Sequence, residues 1–372
     1  MDDQPVLDPL GTLRAAGDPA TDVYLTGTVF LDVIFTGLDS APVRGTESWA
    51  RGMGSSPGGV ANMATALARL GLHTTLAAAF GDDVYGDYCW ESLSVGEGVD
   101  LGPSRRIPGW HSPVTVSMAY EGERTMVSHG HRAPPPEEAV PACPPPARAA
   151  VASLGQRERA SDEEPAPEAD REWIGRAAAT GTKVFADVGW DDTGRWDPAD
   201  LDGLHHCAAF LPNAEEAMRY TRTPTPAAAA RKLAERVPLA VVTLGAEGAV
   251  AVDSGSGETA EVPALIVDAL DPTGAGDVFV AGFVTGTLAG WPLTDRLAFG
   301  SLCAALSVQE FGGSLSAPGW PEVAAWWTRA KTAAGSPAEA LRRYAFLDDL
   351  IPPAPRRWPL PRAVPTIGFR RA

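Results

Sequence analysis

One stretch of the chain combines the residue types that phosphoryl transfer to an alcohol requires. Residues 271–283 read Asp-Pro-Thr-Gly-Ala-Gly-Asp-Val-Phe-Val-Ala-Gly-Phe, a glycine-rich turn that leads into an apolar helical segment. Backbone N–H groups at a helix start have no intrahelical partner, so a turn of small residues there can receive a phosphate. Asp277 stands at the same junction and can accept the proton of an attacking hydroxyl. The alternative interpretation is a tight turn followed by a helix that an Asp caps.

The composition argues against several kinds of partner. The 372 residues include 47 acidic and 30 basic side chains, which give a net charge of −17. Nucleic-acid binders normally present a basic face, so this balance argues against that class. An anionic nucleotide must therefore be received locally, by a metal ion, helix starts and backbone amides. The four cysteines form no CxxC pair, which argues against a zinc or disulfide framework.

The sequence shows no targeting or membrane pattern. Its first residues lack the basic and apolar regions of a secretory signal, and no apolar run approaches the length of a membrane-spanning helix. We therefore expect a cytoplasmic protein that binds neither membrane nor nucleic acid.

Strand and helix patterns alternate along most of the chain. Short apolar runs that predict strands lie at 23–25, 76–80, 183–188, 207–211 and 239–244. Helical patterns lie at 59–71, 169–179, 214–220 and 227–236. Such alternation predicts an α/β fold with a mostly parallel central sheet that is covered by helices on both faces.

Other segments depart from this alternation. Residues 114–128 alternate apolar and polar side chains around a turn and predict a hairpin, and residues 29–36 predict a further extended piece. Antiparallel strands outside a parallel core form either a lid over a pocket or an ordinary edge hairpin, and the pattern leaves both open. The Pro-rich segments 133–146 and 161–168 are predicted loops.

The two ends of the sequence differ in composition from its centre. Residues 1–20 are polar and rich in Pro and Gly, which predicts a flexible leader. Residues 331–372 form an Arg- and Pro-rich C-terminal extension, in which 338–350 predicts one short helix and the remainder an extended chain. We expect this extension to pack on the main domain or on a partner subunit.

Two windows resemble the signatures of the PfkB, or ribokinase-like, family of sugar and nucleoside kinases. Residues 271–283 resemble the C-terminal signature. Pro-Gly-Gly-Val-Ala-Asn at 57–62, followed by Leu70-Gly71 and Gly81-Asp82, resembles the N-terminal one. The likeness covers roughly residues 21–330. It implies one ribokinase-like domain with a three-layer α/β/α architecture and a small lid, whose strands lie at about 29–52 and 113–130.

The resemblance also implies a reaction. A member of this family is an ATP-dependent phosphotransferase that moves the γ-phosphate to a hydroxymethyl oxygen of a sugar or sugar-like substrate. On that basis Asp277 is the general base, and the amides of Gly274, Ala275 and Gly276 form the anion hole.

The nucleotide and its metal ion have their own implied residues. By resemblance Asn213, Thr243, Gly245 and Gly248 bind ATP, and Glu216 positions Mg²⁺ through water. The alternatives are a helix cap with acidic residues in its first turn at 213–216, and a simple β-turn at 243–248. The sequence contains no Walker A pattern, which disfavours a P-loop kinase.

The acceptor and a monovalent cation complete the implied site. Gly27 to Asp32 matches the family's Gly-x-x-x-x-Asp, so Asp32 is expected to bind substrate hydroxyls. The rest of the acceptor wall is formed by Gly58, Gly59 and Asn62. Many relatives hold a monovalent cation such as K⁺ at positions that correspond here to Asp271, Thr273, Gly312 and Ser316.

Two departures from the family pattern leave the acceptor open. Phe30 and Trp190 stand where sugar kinases of the family often carry polar groups, and they add aromatic surface near the expected acceptor pocket. A nucleoside kinase of the adenosine type is therefore the alternative to a sugar kinase. A catalytically idle regulator that binds a sugar or nucleotide is the third interpretation. An exposed lid edge favours pairing of strands, so a homodimer through the lid is expected as well.

Overall fold

The large sheet is built as the alternation of strand and helix patterns predicts. The structure, a computed structural model, describes residues 14–120, 123–131, 144–154, 169–191, 193–333, 338–351, 362–363 and 366–369. Most of the predicted leader at 1–20 and of the predicted loops at 133–146 and 161–168 lies outside these residues. Much of the extension beyond residue 351 also lies outside them.

Fifteen strands and ten α-helices are defined within the described residues. The strands are β1 Thr21–Thr26, β2 Val29–Thr36, β3 Gly52–Gly59, β4 Thr74–Ala77, β5 Ala79–Gly81, β6 Arg105–Ile107, β7 Val114–Tyr120, β8 Glu123–His129, β9 Ala147–Leu154, β10 Lys183–Val188, β11 Ala209–Phe210, β12 Leu239–Thr243, β13 Ala249–Asp253, β14 Thr259–Val262 and β15 Thr366–Phe369. The helices are α1 Val60–Arg69, α2 Val84–Glu91, α3 Ala169–Ala179, α4 Ala214–Thr221, α5 Pro226–Leu233, α6 Ala275–Leu288, α7 Leu293–Ser307, α8 Trp320–Thr332, α9 Ala338–Arg343 and α10 Leu347–Leu350.

The central sheet is mostly parallel. Its eight strands follow the order β14-β13-β12-β11-β10-β9-β1-β4. Every neighbouring pair from β12 to β4 is parallel, whereas β13 and β14 join the sheet as antiparallel strands at one edge. A parallel sheet requires crossover connections that place helices on its faces, which agrees with the helices between these strands.

Two hydrophobic cores lie on opposite faces of this sheet. Successive residues of β12 alternate between them, since Val241 belongs to one core and Ala240 and Val242 belong to the other. The first core contains apolar side chains of α1, α6, α7 and α8, and the second contains those of α3, α4 and α5. The predicted α/β/α layering is confirmed.

The second sheet is the predicted lid. Its five strands follow the order β15-β3-β2-β7-β8, in which only β2 and β7 run parallel. Strand β3 was not predicted from the sequence pattern, and all eight of its residues pair with β2. Since β3 continues directly into α1, the lid is joined to the body at Gly59 and Val60.

The C-terminal segment packs on this same domain. Tyr344 and Leu347 are fully buried in the first core. The sequence pattern predicted one helix at 338–350, and that prediction is wrong in detail, because a turn separates α9 from α10. Farther along, Arg362 forms a two-bond ion pair with Glu322 of α8, and β15 pairs with β3 at the edge of the lid.

Candidate active site

The turn before α6 has the backbone that its glycines allow. Gly274 precedes the helix with a φ of 76°, a left-handed conformation that favours glycine. A Cβ on Gly276 would meet no atom within 4 Å, so the space beside this residue is open. Asp277 lies in the first turn of α6 and is partly exposed. An anion placed here would meet first-turn amides and the positive end of the helix dipole.

Asn62 connects this turn to the lid. It lies in the first turn of α1, and its Nδ2 donates a hydrogen bond to Asp277 Oδ2 over 3.0 Å. A Cβ on Gly274 would lie 3.1 Å from Asn62 Cγ, so the turn and the amide are in close contact. Asn62 Oδ1 is buried and has no hydrogen-bond partner among the described residues. The two signature windows, which are far apart in the sequence, therefore meet at the starts of two helices.

Asp32 lies against the glycine end of β3. Its carboxylate occupies the space that a Cβ on Gly58 would need, so only glycine fits there. Gly59 is similarly restricted, because a Cβ would lie 2.8 Å from the ring of Phe30 and would overlap the carbonyl oxygen of Thr28. The glycines thus let two side chains of β2, Asp32 and Phe30, lie flat over the end of β3.

Asn213 and Glu216 form a capping box at the start of α4. Asn213 Oδ1 accepts a hydrogen bond from the N–H of Glu216 over 3.0 Å, and Glu216 Oε2 accepts one from the N–H of Asn213 over 2.9 Å. The helix-cap interpretation of this pair is therefore correct as a description of its local contacts. Asn213 is exposed whereas Glu216 is only 6% exposed.

Carboxylates from three strand and helix ends influence one another here. Burial raises the pKa of Glu216 to about 7, against the hydrogen bonds from Asn213, and the charges of Glu215 and Asp277 raise it further. Burial also raises the pKa of Asp187 well above its usual range, and the charges of Asp277 and Glu216 add to this. Sequence reasoning did not include Asp187 in the site, because its neighbours come from distant parts of the chain. Within the described parts of the chain, no three His, Cys, Asp or Glu side chains could by themselves hold a metal ion.

The loop after β12 is a tight turn. Leu244 N–H donates to the carbonyl of Gly248, and the backbones of Asn213 and Thr243 form an isolated parallel bridge. Gly245 has a φ of 60° and open space beside it, whereas Gly248 is packed against the backbone at 262–264. The bridge therefore places Thr243 beside the start of α4, and of the two glycines Gly245 has the accessible face.

Asp271 and Thr273, two of the residues expected to hold a monovalent cation, lie just before Gly274, and the other two, Gly312 and Ser316, lie at the two ends of a short 3-10 turn. Asp271 Oδ1 accepts a hydrogen bond from Thr273 N–H over 3.0 Å, while Asp271 Oδ2 is buried with no partner among the described residues. Asp271 N–H donates to the carbonyl of Val308, which ties it to the segment before Gly312. The Ser316 hydroxyl donates to the carbonyl of Gly313 over 2.7 Å.

A buried ion pair supports this region, and sequence reasoning missed it. Arg69 at the end of α1 donates to both oxygens of Glu97 over 2.9 and 2.7 Å, and both side chains are almost fully buried. The same guanidinium also donates to the carbonyls of Leu315 and Ala317. No local pattern marks this pair, because its partners lie on separate elements.

Trp190 packs on Trp196 and on a side chain of α4. Its ring packs edge-on against Trp196 at 5.1 Å, and the guanidinium of Arg219 in α4 lies 5.1 Å from its centroid. Trp190 thus packs over the helix that Asn213 begins and remains 58% exposed. Phe30, the other aromatic departure, lies against Gly59 of the expected acceptor wall.

Comparison with known proteins identifies the family. Residues 21–320 match the model described as "pfkB family carbohydrate kinase". This match covers more than half of the chain, and the chain belongs to that family.

Individual relatives resemble parts of the chain. The ribokinase of Schizosaccharomyces pombe is 37% identical over 135 residues, which are 34% of this chain and 42% of that protein. The matched region therefore spans less than half of that relative's length.

Solved structures share the fold over most of this chain. The ribokinase of Arabidopsis thaliana, solved with ribose and ATP, superposes with a TM-score of 0.65 at 22% identity over 82% of this chain and 97% of its own. A candidate ribokinase II from E. coli, solved with ATP and Mg²⁺, gives a TM-score of 0.68 at 20% identity over 83% and 99%. The predicted ribokinase-like fold is confirmed.

Proposed function

We propose that this protein is an ATP-dependent kinase that transfers the γ-phosphoryl group to a hydroxymethyl oxygen of a sugar or sugar-like acceptor. The observation that carries the proposal is the hydrogen bond between Asn62 and Asp277. This contact brings a carboxylate, a side-chain amide and an open glycine turn together at the starts of two helices. The carboxylate can accept the proton of an alcohol, and the free backbone amides at the helix start can bind a phosphate.

In this mechanism the chain contributes a base and an anion site. Asp277 accepts the hydroxyl proton while the acceptor oxygen bonds to the γ-phosphorus and the bond from phosphorus to the ADP oxygen breaks. The amides of Gly274, Ala275 and Gly276 stabilise the negative charge on the transferred group. Asn62 holds the Asp277 carboxylate in one orientation. Asp32, Gly58 and Gly59 hold the acceptor's other hydroxyls.

The nucleotide site is proposed from the loops beside α4. Asn213, Thr243, Gly245 and Gly248 would hold ATP, with Gly245 presenting its open face. Glu216 would hold Mg²⁺ through water, and its raised pKa fits a carboxylate that benefits from a nearby cation. Mg²⁺ supplies charge neutralisation on the phosphates when it is bound.

A monovalent cation such as K⁺ is proposed beside the glycine turn that precedes α6. The buried and unpartnered Asp271 Oδ2 supports this site, because a buried carboxylate oxygen without a donor favours a cation. Thr273, Gly312 and Ser316 would supply further oxygens. Bound there, the cation would stabilise the turn that presents the anion-hole amides.

A nucleoside of the adenosine type is the second candidate acceptor. Phe30 favours it, because its ring lies on Gly59 at the acceptor wall and presents an apolar surface that a base can contact. A regulator that binds its ligand without turnover is the third candidate.

An acceptor screen tests the function. ADP release is measured with ATP, Mg²⁺ and a panel of sugars and nucleosides, for the wild type and for Asp277→Asn. We expect turnover with at least one acceptor and a loss of about 10² to 10⁴ in kcat for the variant. Asp295→Asn is the control, since Asp295 lies in the first turn of α7. Wild-type turnover by Asp277→Asn, or ligand-induced Tm shifts with no product from any acceptor, would contradict the proposal.

The assembly and location are proposed as well. Among the described strands β8 pairs only with β7, and one face of the lid carries half-buried or exposed apolar side chains from β3 across to β8. They are Phe35, Met53, Val116, Met118 and Val127. We propose a homodimer through this face, and Val127→Lys is expected to yield monomers in sedimentation experiments, whereas an unchanged sedimentation coefficient would contradict it.

A reducing, cytoplasmic location is supported by the buried free thiols of Cys89, Cys207 and Cys303. Among the described residues no helix is long and apolar enough to span a bilayer.

A further inference from the structure

The two faces of the lid have different surroundings. Residues that are paired across neighbouring strands share a face, and successive residues along a strand alternate between faces. Leu31, Val33 and Val114 lie on one face and pack in the first core with Cys89 of α2. Asp32 and Ile34 lie on the other face, which also borders Gly313 through Ser56 and Ile34. The second face is therefore the one that carries the proposed acceptor wall.

A row of polar side chains crosses this acceptor-facing side of the lid. Asp32 is paired with Ser56 of β3 on one side and with Thr115 of β7 on the other, and Thr115 is in turn paired with Ser128 of β8. Asp32 and Ser56 are buried, Thr115 is half-buried, and Ser128 is exposed. The row thus leads from the acceptor wall outward to the rim of the lid.

The outer half of the row keeps hydrogen-bonding capacity for a ligand. The hydroxyls of Thr115 and Ser128 lie 2.9 Å apart and share one hydrogen bond. A hydroxyl pair uses one O–H donor in this way and retains the second O–H and several acceptor lone pairs. Because neighbouring strands are about 4.8 Å apart, Ser128 lies about 10 Å from Asp32 across the sheet. A single sugar ring held at Asp32 would not reach it.

We infer that the acceptor is a sugar that carries a hydrophilic substituent, which lies along Thr115 and Ser128 while the sugar ring is held at Asp32. This inference rests on the proposed kinase function and specifies its acceptor. An aromatic base directed along the same row would place an apolar surface on hydroxyls that need partners. The row therefore favours a polar conjugate over a nucleoside.

The test compares acceptors in matched pairs and removes the hydroxyls. The pairs are D-fructose with fructosyl-glycine, which adds a hydrophilic substituent, and D-ribose with adenosine, which adds an aromatic one. The variant Thr115→Val with Ser128→Ala removes both hydroxyls from the acceptor-facing side. Thr125→Val is the control, because Thr125 lies on β8 but faces the other way, with its hydroxyl 3.0 Å from that of Tyr120.

We expect kcat/KM for fructosyl-glycine to exceed that for D-fructose at least tenfold, with adenosine no better than D-ribose. In the double variant KM for the substituted sugar rises fivefold or more, KM for the bare sugar is unchanged, and Thr125→Val matches the wild type. Adenosine as the best acceptor, or a double variant with unchanged KM, overturns the inference and leaves the kinase proposal in place. No ADP release with any acceptor of the panel or of the wider screen overturns both.

Discussion

Asn62 Nδ2 donates a hydrogen bond to Asp277 Oδ2 over 3.0 Å and thereby joins residues that are 215 positions apart. Asn62 lies in the first turn of α1, which follows the lid, and Asp277 lies in the first turn of α6, which follows the glycine turn. A movement of the lid strand β3 is therefore expected to change the orientation of the proposed base. Acceptor binding at Asp32 and proton removal at Asp277 are expected to be coupled through this one amide.

Gly274→Ala is expected to disturb this contact. The substitution places a Cβ 3.1 Å from Asn62 Cγ and strains a backbone with φ of 76° by about 1 to 2 kcal/mol. Gly290→Ala is the matched control, because Gly290 has φ of 71° but no neighbour within 4 Å. Both variants should lose similar stability in urea titrations, and only Gly274→Ala should lose kcat, by about 10- to 100-fold. Equal activities in the two variants would show that the contact has no role.

Gly276→Ala is expected to separate function from stability. A methyl group there meets no protein atom within 4 Å, and alanine favours the helix over glycine by roughly 0.5 to 1 kcal/mol. Tm should therefore stay constant or rise. If the open space receives the transferred phosphoryl group, kcat/KM falls about tenfold or more, because the methyl group displaces it. Full activity in ADP-release assays would place the phosphate elsewhere.

Regular elements were predictable because their signal is local. Strand β10 at 183–188 has the predicted bounds, and α4 at 214–221 is within one residue of the predicted helix. Strand β3 was missed because Gly-Met-Gly-Ser-Ser-Pro-Gly-Gly is a poor strand sequence. Its glycines fit the side chains of Asp32 and Phe30, a requirement of the site that overrides strand propensity.

The residues of the candidate site were indicated by the sequence only as separate pieces. Residue types at 57–62 and 271–283 indicated Asn62 and Asp277 individually, but no local pattern indicates that they touch. Asp187 and the Arg69–Glu97 pair were missed for the same reason, since each depends on partners from distant segments.

The pH dependence of stability should reveal the buried carboxylate of Glu216. Burial raises its pKa from 4.5 to about 7, so between these values the folded protein binds more protons than the unfolded chain. The contribution of Glu216 to the free energy of unfolding of the nucleotide-free protein should therefore fall as pH rises from about 4.5 to 7, by about 1 to 3 kcal/mol. Urea titrations across this range measure the slope.

Glu216→Gln keeps an oxygen that can accept the N–H of Asn213 and has no charge to bury. It should be as stable as the wild type near pH 4.5 and more stable near pH 7. Glu235→Gln is the control, because Glu235 is an exposed carboxylate outside this capping box. If wild type and Glu216→Gln show the same slope between pH 4.5 and 7, the pKa of Glu216 is not raised.

Removal of the buried charge of Arg69 is expected to lower the free energy of unfolding strongly. Arg69→Met leaves Glu97 buried without its ion partner, which typically costs 3 to about 5 kcal/mol. The carbonyls of Leu315 and Ala317 lose their donor as well, so adding Glu97→Leu should restore only part of the stability. Arg176→Met, which breaks the exposed pair with Glu172, should cost less than about 1 kcal/mol. Urea unfolding of the three variants measures these differences, and similar losses for Arg69→Met and Arg176→Met would show that the buried network contributes little.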